Sequence, residues 1–196
     1  MKKFSDTLNP LADQFYEILN DFNPIEIKDY GWENYVWHSN LFSWAHLEKY
    51  CTDKVSVLHC VIMPKKNSRA PIYGFDVIEI SGKLTGLFLD LTPVDNRIFD
   101  VPQVGNLRPV PEWANFFSPN FLCTAPSEKD VYIGLDLLVS YFRNLPDTTE
   151  LDYSYQQQQY INGQRKNPQT FKMLRSQIGE EKAREFMNNI LFPDII

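Results

Sequence analysis

The chain has little of the raw material from which most protein chemistry is assembled. Its 196 residues hold three cysteines, Cys51, Cys60 and Cys123. The number is odd, no CxxC occurs and no spacing suits zinc, so free thiols in a reducing compartment are expected. Three histidines and scattered carboxylates give weak support for any metal site. The eight glycines form neither GxGxxG nor GxxxxGK[ST]. HExxH and GxSxG are missing too, which removes the common nucleotide and hydrolase signatures. No apolar run approaches the ~20 residues of a membrane helix. The start, MKKFSDTLNP, has two lysines but no apolar core, so a signal peptide is not expected. Positive charge is short as well: the net charge of −6 argues against a nucleic-acid partner, although a local basic patch is compatible with it. A cytoplasmic protein with no membrane association follows as the expectation.

What is present is the composition of a globular chain, 43% apolar and 22% charged. One domain over residues 1–196 is the simplest reading at this length. Aromatics reach 14%. An ordinary aromatic core or stacking walls for a flat conjugated ligand would both produce this.

The most informative stretch is Val55 to Pro93. Val55–Met63, Tyr73–Ile80 and Leu84–Leu91 read as three strands, with a tight turn at Ser81-Gly82-Lys83. Val57, His59 and Val61 share one face of the first strand, and Leu58, Cys60 and Ile62 the other. Both faces are apolar and need covering, so helices are expected above and below the sheet. Before it, LFSWAHLEKYCTDK would place Trp44, His46 and Glu48 on one face if extended, and a helix there stays open. Asn9 and Pro10 read as the cap and first residue of an opening helix. Ile25–Asn40 reads as one or two strands, and Phe121–Ala125 as a short one. Ser127–Arg143, Leu151–Arg165, Thr170–Ile178 and Glu180–Leu191 read as helices, with Gly179 between the last two. Val94–Pro111 reads as irregular, with a lid or surface role.

His59 and Asp76 are ionisable groups set in apolar strands. Such a group costs free energy unless paired or used. On adjacent strands they could meet and exchange protons near neutral pH. A structural buried ion pair is the competing reading of the same residues.

A wider pattern bears on that choice. LHCVIMP, PIYGFDVI, LFLDLTP and QRKNPQTFKMLRSQIGEEKAREFMNNILF occur in this order. With TLNPLADQ, AHLEKY and PEWANFFSPN, they resemble the ferredoxin-dependent bilin reductases, and within them the phycocyanobilin-forming branch. The resemblance runs from Leu8 to Ile195. It implies an α/β fold, a three-layer α/β/α sandwich with a central antiparallel sheet. It also implies a monomer that binds biliverdin IXα between the sheet and the C-terminal helices. No bound cofactor and no metal are implied. Electrons come singly from reduced [2Fe–2S] ferredoxin, and the substrate passes through radical states to a phycobilin.

The same resemblance implies roles for residues. Asp76 is the main proton donor, His59 shares its proton, and Glu48 assists at the D-ring vinyl group. His46 and Asn167 contact substrate. His59 in place of Asn, and Asn167 in place of Asp, match the phycocyanobilin branch. Three departures stand beside these matches. The Glu48–His59 spacing is one residue short, which leaves the placement of Glu48 open. Gln169 stands where a lysine usually follows. The loop after Pro93 is short. Phycocyanobilin and phycoerythrobilin both remain open as products, and so does a bilin carrier that has lost the chemistry. The basic groups Lys65, Lys66, Arg69 and Arg165, Lys166, Lys172, Arg175 would face ferredoxin, the propionates or plain solvent.

Overall fold

Apolar residues in seven segments of this chain are taken up by one antiparallel sheet. The computed structural model describes residues 3–25, 27–102, 104–105, 107–143, 145 and 148–195. Its strands are β1 (Pro24–Ile25), β2 (Glu33–Trp37), β3 (Phe42–Cys51), β4 (Val55–Pro64), β5 (Ile72–Ile80), β6 (Lys83–Thr92) and β7 (Leu122–Thr124). They lie side by side in chain order, each antiparallel to the next. The stretch from Leu41 is therefore strand and not helix. Tight connections enforce this meander. Thr52 Oγ1 accepts from the backbone N–H of Lys54 and Val55 at 3.2 and 2.9 Å, closing the β3–β4 turn. Ser81 and Gly82 close β5–β6 with φ of 51° and 76°, the left-handed pair that matches strand twist.

Five helices cover the sheet: α1 (Asn9–Leu19), α2 (Ile133–Arg143), α3 (Ser154–Gln164), α4 (Pro168–Ile178) and α5 (Glu180–Phe186). The first two sit on one face, where Leu11, Phe15, Leu135 and Leu138 join Leu58, Cys60, Phe75 and Leu89 in one core. The other three cover the opposite face, where Ile161, Leu174 and Phe186 pack with Val57, Val61 and Met63. Each fully buried side chain of this kind contributes about 1.5–3 kcal/mol. The expected three-layer α/β/α sandwich with a central antiparallel sheet is what forms. No described helix is long and apolar enough to cross a membrane.

Several boundaries differ from the sequence reading. Asn9 does not cap α1. Leu8 is the N-cap and brings no side-chain cap; Ser5 closes the turn before it, its hydroxyl accepting from Thr7 and Leu8 N–H at 3.1 and 3.2 Å while its carbonyl accepts from Asn9 N–H. Helix α2 starts five residues after Glu128, because Ser127 N–H donates to Asp130 Oδ2 at 2.7 Å and closes a turn first. Helix α3 starts at Ser154, where Asp152 accepts its N–H and Tyr153 N–H is already held by Lys66 O. Beyond α5 the chain loosens into a π-helical turn, Met187–Leu191. The segment after Pro93 is irregular as expected, apart from a bridge between Leu107 and Thr124. Gln103 and Asn106 within it lie outside the described residues.

Candidate active site

Strand pairing alone assembles the site. Glu48 on β3 lies opposite His59 on β4, His59 opposite Asp76 on β5, and Asp76 opposite Phe88 on β6. Directly paired residues point to the same side of a sheet, and neighbouring strands are about 4.8 Å apart. The four side chains therefore form one transverse row on the face covered by α3–α5. The β3–β4 register is regular from Ala45 to Cys51, so Glu48 stands directly opposite His59. A second row, one pleat along, holds His46, Val61, Gly74 and Asp90.

The first row is the floor of a cleft of about 310 Å³, within the range of small-molecule sites. Phe117, Phe121, Phe192 and Met173 also line it. Gln164 of α3 and Asn167 at the head of α4 supply amides. Asn167 caps α4, its Oδ1 accepting from Gln169 and Thr170 N–H at 3.0 and 3.4 Å. The cap uses the oxygen and leaves the NH₂ as the group offered to the cleft.

Asp76 is the most open of the three titratable members of the row, with 36% of its side chain exposed against 11% for His59, and Glu48 is buried. His59 Nδ1 and Asp76 Oδ1 are 2.8 Å apart. The carboxylate fixes the tautomer: Nδ1–H donates to Asp76, and Nε2 has no partner among the described residues. Burial pulls the His59 pKa down. The charge and hydrogen bond of Asp76, aided by Glu48, outweigh it, so the net shift is upward. Burial pushes Glu48 up to about 7, against the pull of His59 and the nearby Trp32 indole. Its Oε1 has no hydrogen-bond partner among the described residues.

His46 is brought to the site but not into the cleft. It is fully buried, stacked on Trp44 with ring planes 2° apart, its centroid 5.6 Å from that of His59. Burial and the His59 charge hold its pKa well below the usual range, so it is neutral. Arg165 does not present its charge outward either. It donates to Phe192 O, Asn188 O and Asp194 at 2.9, 3.0 and 2.7 Å, bracing the π-helical turn over the site. Among the described residues no three His, Cys, Asp or Glu side chains are arranged to hold a metal ion.

Phe88, Phe117, Phe121, Gln164 and Phe192 were not singled out from sequence. The Gly in β6, Gly86, was the available signal for Phe88. It marks a bulge between Ile78 and Glu79 that shifts the register by one and turns Phe88 toward the cleft.

A row of titratable groups beneath an aromatic cleft suits proton delivery to a flat conjugated molecule. Comparison with known proteins agrees with that geometry. The sequence model described as ferredoxin-dependent bilin reductase matches residues 10–193. Phycocyanobilin:ferredoxin oxidoreductase of Gloeobacter violaceus is 25% identical over 183 residues, 81% of this chain and 72% of that protein. The solved structure of PcyX superposes with a TM-score of 0.69 at 23% identity, covering 96% of this chain and 99% of that one. Tomato phytochromobilin synthase in complex with biliverdin gives 0.64 at 14% identity, covering 94% and 81%. These two likenesses speak for the fold. The match of the family model over nearly the whole length decides the assignment: this chain belongs to the ferredoxin-dependent bilin reductases, a family of oxidoreductases.

Proposed function

We propose that the protein reduces biliverdin IXα to a phycobilin, phycocyanobilin or phycoerythrobilin, taking up four electrons and four protons. The electrons arrive one at a time from reduced [2Fe–2S] ferredoxin, so the tetrapyrrole passes through radical states. The conjugated substrate carries the electronic change, and the chain supplies position and protons.

The observation that carries this reading is the row Glu48–His59–Asp76 on the cleft floor. Asp76 raises the proton affinity of His59 above that of a free imidazole, and Glu48 titrates at about 7. The row thus stores protons at the pH where a ferredoxin donor works. The proton shared by His59 Nδ1 and Asp76 reaches the bilin through Asp76, the open member, leaving His59 neutral. Glu48 serves the substrate at the other end of the row, toward a vinyl-bearing ring. Asn167 offers its amide N–H to the bilin. His46, walled off by the row, supports His59 from behind.

The test is anaerobic turnover of purified protein with biliverdin IXα, reduced ferredoxin and a regenerating system. Biliverdin absorbance should decay through transient radical bands to a phycobilin, identified by chromatography. Binding without any spectral progress would make the protein a bilin carrier. No binding at all would overturn the substrate assignment.

A further inference from the structure

One buried carboxylate on the cleft face has no place in the proton row. Asp90 is 1% exposed and lies in the second row, beside Gly74 and two residues from Phe88. Both of its oxygens accept from donors of the chain. Oδ2 accepts from Ser118 N–H at 2.9 Å and from the Thr92 hydroxyl. Oδ1 accepts from the Ser118 hydroxyl. Two of these three bonds come from Ser118, so the acid fixes Ser118 to the sheet.

Ser118 sits between two rings that line the cleft. Phe117 and Phe121 stack with centroids 4.1 Å apart and planes 3° apart. Phe121 lies nearly parallel to Phe88, 6.1 Å away and 16° tilted, and Phe88 is paired with Asp76. Three aligned rings thus lead from the 116–121 segment down to the proton row. The segment is also fastened on either side of Ser118. Asn120 Nδ2 donates to Phe99 O at 2.8 Å. Phe116 rests in a notch at Gly163 of α3, where an added Cβ would lie 2.5 Å from the ring.

Building on the bilin reading above, we propose that Phe117 and Phe121 are a stacking wall for one end of the bound tetrapyrrole. Asp90, through Ser118, is the positioning residue that holds that wall beside Asp76. Stacking depends on ring offset and tilt, so a wall anchored at its centre selects one seating of a flat ligand over others. A merely structural Asp90–Ser118 stitch would change melting temperature and leave the optical state of bound bilin untouched.

The experiment uses the full chain and biliverdin IXα without reductant. Dissociation constant, induced circular dichroism of the bound bilin and melting temperature of the free protein are read for wild type, Phe117→Leu, Phe121→Leu, Ser118→Ala and Asp90→Asn. Each Phe→Leu change should weaken binding about threefold to tenfold, the weight of an aromatic pair. Ser118→Ala keeps every ring and the carboxylate. It should weaken binding by a smaller factor and reduce or reshape the induced dichroism, and Asp90→Asn should follow it. If Asp90→Asn does not fold, Ser118→Ala decides. Wild type that binds biliverdin, with Ser118→Ala and Phe121→Leu binding equally well and with the same dichroism, overturns this inference alone. Wild type that does not bind biliverdin overturns the functional reading and the wall with it.

Discussion

The two faces of the sheet are built from the same strands and have settled their polar groups in opposite ways. On the α1–α2 face, Tyr73 donates to Gly134 O at 2.8 Å, Tyr141 to Pro71 O at 3.0 Å, and Glu79 accepts from Ser5 at 2.7 Å. Trp37 Nε1 is the exception there among the described residues. The α3–α5 face leaves Glu48 Oε1, His59 Nε2, both His46 nitrogens, the Tyr50 hydroxyl and the indole N–H of Trp44 without a partner among the described residues. Each such group costs about 1–3 kcal/mol unless water or a ligand supplies the bond. One face is arranged for stability. The other forgoes stability around a cleft, as expected where groups are held ready for a substrate.

Substitutions of similar size on the two faces should therefore fail in different ways. The largest effect is expected from Asp76→Asn, which keeps the shape and removes the carboxylate that shares the His59 proton. Turnover should fall by roughly 10²–10⁴-fold, the usual weight of a positioned acid. Biliverdin should still bind, and reaction should stall at an early intermediate. Stopped-flow absorbance checks this, and full turnover in the variant would remove Asp76 from the mechanism. Next is its neighbour on the opposite face. Phe75 is 1% exposed and stacks on Phe15 at 5.0 Å. Phe75→Ala should cost about 3–5 kcal/mol in denaturant unfolding. In the fraction that stays folded, the order of spectral intermediates should be unchanged.

Acidity separates the faces further. Glu48 titrates at about 7 when folded, against 4.5 unfolded. Between these values the folded chain holds the proton more tightly, so stability falls as pH rises through the window, by about 3 kcal/mol in total. His59 acts in the same direction. Its folded pKa is raised above 6.5, so its contribution is complete below 6.5 and is lost as pH climbs through the folded value. Wild type should melt at a lower temperature at pH 8 than at pH 5. Glu48→Gln should recover much of the deficit at pH 8 and change little at pH 5. The same variant should flatten a fall in kcat/KM centred near pH 7. A deficit as large in Glu48→Gln as in wild type would show that Glu48 does not set it.

How much of this was legible in the sequence depended on register. His59 and Asp76 stood out because a charge in VSVLHCVIMP or IYGFDVIEI has no cheap place to go. The β3–β4 and β4–β5 ladders bring no shift between Glu48 and Asp76, so the row forms as alternation suggests. Counting back from the Ser81-Gly82 turn, however, pairs Asp76 with Leu87. The bulge near Gly86 moves the partner to Phe88 and reverses which β6 side chains see the cleft, Asp90 included. The roof was harder still. Buried Gln157 and Gln164 give α3 almost no apolar stripe, so its pattern does not report which face is covered, while Gln157 donates to Pro64 and Lys65 carbonyls. Phe117 and Phe121 sit outside regular structure, where no periodicity reports on burial or facing.

The smallest effect, and the finest test of the contrast, belongs to His46. It is neutral, wholly buried and flanked by Trp44, His59 and Phe186, the last 6.1 Å away at 75°. Neither ring nitrogen has a partner among the described residues. His46→Phe keeps an aromatic ring of nearly the same size and removes both polar atoms. If the polarity serves stability, the change should destabilise, as it would on the settled face. If it serves the row, the free protein should hold its melting temperature or gain about 2–4 °C, equivalent to ~1 kcal/mol at this chain length. Turnover should drop, because His59 loses the polar neighbour behind it. We expect the second pattern, read by calorimetry and anaerobic turnover on the same preparation. A loss of melting temperature with turnover intact would move His46 to the structural side and narrow the working part of that face to Glu48, His59 and Asp76.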